Sequence, residues 1–136
     1  MRMRPWAFAI VLCAIGVPRV SNAALTQDSF VLRNAGDLVD LCSADQSDPL
    51  YTAATNFCHG FLVGVVRVLQ EEESAHKARQ MFCIPEPMPT RNEGIAKFVQ
   101  WAKANPGQMN QQATDAVAAA LAQEYPCPRS SRERNR

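Results

Sequence analysis

Between Asn34 and Glu124 the apolar positions recur at intervals of three and four residues, and strict alternation of apolar and polar residues is nearly absent. That periodicity lays one apolar stripe along each of several helices and argues against a sheet. Asn34 stands three residues before Asp37, the spacing of a cap with an acid in the first turn, and Leu38, Leu41 and Cys42 follow on one face. Ser47-Asp48-Pro49 opens a second helix, where a proline in the first turn sacrifices no hydrogen bond. Its stripe is Ala54, Cys58, Phe61, Val65 and Leu69. Thr90-Arg91-Asn92-Glu93 is a capping box, after which Ile95, Phe98, Val99 and Ala102 repeat until Asn105-Pro106-Gly107 interrupts them. A last helix runs from about Gln111 through Ala113, Val117, Ala120, Leu121 and Glu124, and Pro126 and Pro128 end it on either side of Cys127. The expected fold is all-α, a small disulfide-stapled bundle of four to five helices.

Two features fall outside these stripes. Trp101 lies off the third one and is expected at a surface or an interface. Gly60 and Gly64 remove side chains from one face of the second helix at a cost of about 1 kcal/mol each relative to alanine. A close helix contact, within the chain or with a second copy, is expected to offset that cost.

The first 23 residues follow another pattern. Arg2 and Arg4 precede an apolar run from Trp6 to Val17, and Ser21-Asn22-Ala23 forms a small-residue site, as in a secretory signal peptide. The run is about a dozen residues, short of the roughly 20 that cross a bilayer, and no later segment is expected to approach that length. Cys13 sits inside the run and takes no part in the fold. Cleavage leaves one domain at 24–128 and a basic tail at 129–136, expected to be disordered. The tail holds Arg129, Arg132, Arg134 and Arg136 against Glu133, so the net charge of +1 hides an acidic body. Residues 24–128 carry seven Lys or Arg against twelve Asp or Glu. No basic face interleaved with aromatics appears, so nucleic acid is not an expected partner, nor is a membrane after cleavage.

Cys42, Cys58, Cys83 and Cys127 remain, an even number in a small exported chain, which reads as two disulfides. Zinc ligands come in close pairs, and these four do not. No metal or cofactor is expected. Cys58 beside His59 has the composition of a nucleophile and its base, but neighbours on a helix point about 100° apart and cannot share a proton. His76 lies in a polar stretch, so no catalytic residue is expected and an enzyme is the weakest reading.

Three pairings of the cysteines are possible. Antiparallel neighbouring helices favour Cys42 with Cys58 and Cys83 with Cys127. If the charged segment from Glu71 to Gln80 carries the chain back along the second helix, Cys58 meets Cys83 instead and Cys42 is left for Cys127.

The ordered motifs "AGDLVDLC", "CHGFLVGV", "FCIPEPMPT" and "EYPC" span nearly the whole domain and resemble those of the Tai-type (Rap/Tai) family of periplasmic immunity proteins. The resemblance implies a small, exported, mostly helical and often dimeric protein that neutralises a peptidoglycan amidase delivered by type VI secretion. Arg67 departs from the acidic residue expected at its place. Family inhibitors use protruding segments between helices, which singles out Asn105, Pro106, Gly107, Gln108 and Met109, with Met109 as an exposed, adaptable apolar side chain. Glu71, Glu72 and Glu73 are a second candidate contact for a basic rim, although charge runs of this kind are usually solvated. The alternative function is a periplasmic helical binding or chaperone-like protein without an immunity role.

Overall fold

The computed structural model describes residues 24–77 and 79–128; the expected signal peptide with Cys13 and the basic tail at 129–136 lie outside the described residues. Among the described residues the chain forms α1 (Ala35–Cys42), α2 (Tyr51–His76), α3 (Arg91–Ala104) and α4 (Ala113–Glu124), with 3-10 turns at Gln27–Val31 and Pro106–Gln108 and no strand. The fold is all-α, as the periodicity requires.

The shortest helix is the most central. Asn34 Oδ1 accepts the Asp37 N–H at 3.1 Å and starts α1. Ala35, Leu38 and Leu41 are wholly buried, because α2, α3 and α4 all pack against this one helix. Truncating either leucine to alanine would cost about 2–5 kcal/mol in transfer and cavity energy.

The capping box of α3 is formed in both directions: the Thr90 N–H donates to Glu93 Oε2 at 2.7 Å, and the Glu93 N–H donates to Thr90 Oγ1 at 3.3 Å. Phe98, Trp101 and Ala102 face the core. Trp101 therefore corrects the expectation of a surface position: it is 3% exposed, and its Nε1–H donates to Gln123 Oε1 at 2.9 Å. Both α1 and α4 pack on α3, so the buried arc extends past Phe98 to the residue one turn on. In α4 the buried side chains are Ala113, Ala116, Val117 and Ala120, whose small size lets it lie close. It begins at Ala113, two residues later than expected, because the Gln111 carbonyl is engaged elsewhere, by the Ala35 N–H at 2.8 Å.

The second helix starts at Tyr51, after a turn in which Asp48 accepts the N–H groups of Leu50 at 2.8 Å and Leu25 at 2.9 Å. It runs on to His76, so Glu71, Glu72 and Glu73 lie in its last two turns and not in a segment beyond it. Of the expected stripe, Ala54 and Cys58 are buried, while Phe61, Val65 and Leu69 are half-buried. The first two turns are covered by α1 and by Phe30, which meets Phe57 edge-on at 5.6 Å; further along Val63 and Val68 are exposed. By length and composition alone α2 suffices to cross a membrane, which corrects the expectation that no segment after the signal approaches that length. Here it is one wall of a folded domain, bridged to α1. Among the described residues nothing comes within 4 Å of a Cβ placed on Gly60 or Gly64, so they do not make the close approach expected there.

Both favoured disulfides are present. Cys42 at the end of α1 bonds Cys58, two turns into α2, and Cys83 bonds Cys127. The Cys83 N–H also donates to the Tyr125 carbonyl at 2.8 Å. Together they strap the 83–90 loop to the exit of α4.

Candidate partner-binding surface

The Cys58 sulfur is consumed by its bond to Cys42, so it holds no thiolate to attack anything. Its neighbour His59 turns the other way, its Nε2 lying 3.1 Å from Asn92 Oδ1, and ties α2 to the first turn of α3. The pair is structural.

The inter-helix turn is held from both ends. Asn105 Nδ2 donates to the Trp101 carbonyl at 2.8 Å, and the Gln108 N–H donates to the Asn105 carbonyl at 2.9 Å. The Met109 and Gln111 carbonyls accept the N–H groups of Gly36 and Ala35. Those are donors at the start of α1 that have no acceptor within the helix, so the turn completes the helix end and is fixed by doing so. Pro106 and Gly107 are exposed at its tip. Met109 is half-buried and packs against the core, which corrects its reading as an exposed, adaptable side chain.

The three glutamates have separate fates. Glu72 pairs with His76 at 3.2 Å, Glu73 Oε1 accepts the Met81 N–H at 2.7 Å and secures the chain after α2, and Glu71 is exposed. Among the described residues no hydrogen bond or ion pair joins them to the 105–109 turn. The structure leaves the two sequence candidates as independent surfaces, one at the end of α2 and one at the α3–α4 corner.

A third surface was not anticipated. The middle of α2, the loop after Cys83, α3 and α4 enclose an open cleft of about 320 Å³. Leu62, Val63, Val66, Ile84, Met88 and Ile95 are among its walls, with Phe98 and Val117 deeper in. Arg67, Arg91 and Lys97 also line it, and Lys97 Nζ pairs with Glu124 Oε2 at 3.2 Å. Tyr125 belongs to the wall, with its hydroxyl buried and lacking a hydrogen-bond partner among the described residues; burial pushes that phenol above its ordinary value. The available signal was the apolar run Leu62, Val63, Val65, Val66 and Val68, which surrounds α2 instead of marking one face.

The family model of the Rap1a immunity proteins matches residues 34–127. The chain belongs to this family. The match runs from the cap of α1 to the last disulfide cysteine, so the turn, the glutamates and the cleft all lie inside the Rap1a domain. No curated protein and no solved structure matches the chain.

Proposed function

We propose that this Rap1a protein acts as a Tai-type immunity protein: it is exported, binds a secreted peptidoglycan amidase and occludes its active site without catalysing a reaction itself. The observation that carries the reading is the family match across the whole disulfide-linked domain. Two disulfides in so small a domain suit an oxidising compartment such as the periplasm, the destination read from the N-terminal signal. A turn anchored on the start of α1 is pre-organised and loses little entropy when it enters a cleft of the target. The exposed face of α2 around Gly60, Gly64 and Val68 is the surface we assign to a second copy in a homodimer.

The apolar cleft favours one other reading, a helical binding or chaperone-like protein of the same compartment. Growth separates the two. Where a peptidoglycan amidase gene adjoins that of this chain, cells exporting that amidase should lyse, and co-expression of the full chain should restore growth, whereas a form lacking residues 1–23 should not. Lysis that proceeds unchanged with the full chain exported rejects the immunity reading and leaves the binding protein.

A further inference from the structure

The cleft stands out for its charge as well as its apolar walls. Within an acidic body it gathers Arg67, Arg91 and Lys97, while among the described residues Glu124, already paired with Lys97, is the one carboxylate that lines it. Among the described residues the side chains of Arg67 and Arg91 make no hydrogen bond and no ion pair. The groove is thus locally cationic, and its two guanidinium groups are available to bind carboxylates in the two-pronged manner of arginine.

We propose that this cleft is the docking groove for a segment of the protein partner that presents apolar side chains flanked by Asp or Glu. The identity of that partner as a secreted effector rests on the functional reading above; the chemistry of the groove does not. Other occupants fit less well. A two-fold contact centred on the cleft sets Arg67 and Arg91 against their own copies, and like charges across an interface oppose association. The chain's own tail after Pro128 holds four arginines and no apolar residue, so it matches neither the charge nor the walls. Small ligands are usually enclosed over about 70–90% of their surface, whereas this groove is open along Val63 and beside Met88, which is 62% exposed. An amphipathic segment laid between α2 and α3 covers that strip and keeps its acidic flanks at the rim.

Two matched synthetic helical peptides test the groove, sharing one apolar stripe and flanked by Glu in one and by Lys in the other. Each is titrated into the isotopically labelled full chain and followed by amide chemical shifts. The Glu peptide should bind at least about fivefold more tightly than its Lys twin, as expected for two rim ion pairs. It should shift amides of residues 63–70, 84–91 and 117–125. The Arg67→Glu/Arg91→Glu chain, both changes lying on exposed helix surface, should keep its helicity and reverse the preference. Equal binding of the two peptides, shifts elsewhere, or a cleft already covered by a second copy would overturn the proposal. The same variant is then scored in the growth assay: if it protects as well as the wild-type chain, the effector does not use the cleft while the immunity reading stands. If the wild-type chain never protects, the immunity reading falls and the peptide result alone decides the groove.

Discussion

The Gly36 N–H donates to the Met109 carbonyl at 2.9 Å, joining the turn between α3 and α4 to the start of α1. The side chain of Met109 packs on the core beside that bond. Met109→Lys is therefore expected to destabilise the domain by about 1–3 kcal/mol, since it asks a charge to replace apolar contact. Gly107→Arg, at the exposed tip with open space around the Cα, should change stability by less than about 0.5 kcal/mol. Urea unfolding of the two variants checks both values. With stability matched in this way, a loss of partner binding by Gly107→Arg assigns the turn to the interface, and unchanged binding removes it.

The two disulfides are expected to differ in what they hold. Their separations of 16 and 44 residues correspond to about 3 and 4 kcal/mol in the chain-entropy account. Replacing Cys83 and Cys127 together by Ser should also free the loop that walls the cleft, while the Cys42–Cys58 bridge keeps α1 on α2. Hydrogen exchange should then rise first at residues 81–90 and 121–127; a uniform rise would show that the loop is not separately held.

Acid should act on the cap of α3. The Thr90 hydroxyl, and after it the Thr90 N–H, hydrogen-bond the Glu93 carboxylate and hold it below its ordinary value of 4.5. A lowered folded value means that the added stability is present above 4.5 and lost as pH falls through the folded value. Glutamine preserves a capping box without titrating, so the urea midpoint of Glu93→Gln should fall less on acidification than that of the wild-type chain. Parallel pH profiles would contradict this.

Tyr125 buries a hydroxyl that finds no partner among the described residues, an arrangement that costs about 1–3 kcal/mol. Tyr125→Phe keeps the ring beside Lys97, whose Nζ lies 5.8 Å from its centroid, and removes the orphaned group. Thermal unfolding should be unchanged or higher by up to about 1 kcal/mol. A clear loss of stability would mean that the hydroxyl is satisfied in solution.

What the sequence disclosed was what depends on nearby residues. Asn34 and the Thr90–Glu93 box are local hydrogen-bond patterns, and both were readable as caps. The cysteine pairing was readable because each bridge follows from helices that are neighbours in the chain. Trp101 was misplaced because a stripe drawn for one packing partner is too narrow for a helix held by three. On α2 the apolar residues surround the axis, so periodicity cannot say which of them face the core and which face an open groove. Met109 was misjudged for a related reason: whether a turn protrudes or docks is decided by α1, more than sixty residues earlier in the chain.

Where a peptidoglycan amidase gene adjoins that of this Rap1a protein, the central proposal, that the protein blocks such an amidase by binding it, is tested most directly by titrating purified full chain into that amidase while following release of peptide from peptidoglycan. Occlusion predicts that cleavage falls in a straight line with added chain and stops near one equivalent. Cleavage that continues at full rate with the chain in excess would contradict it.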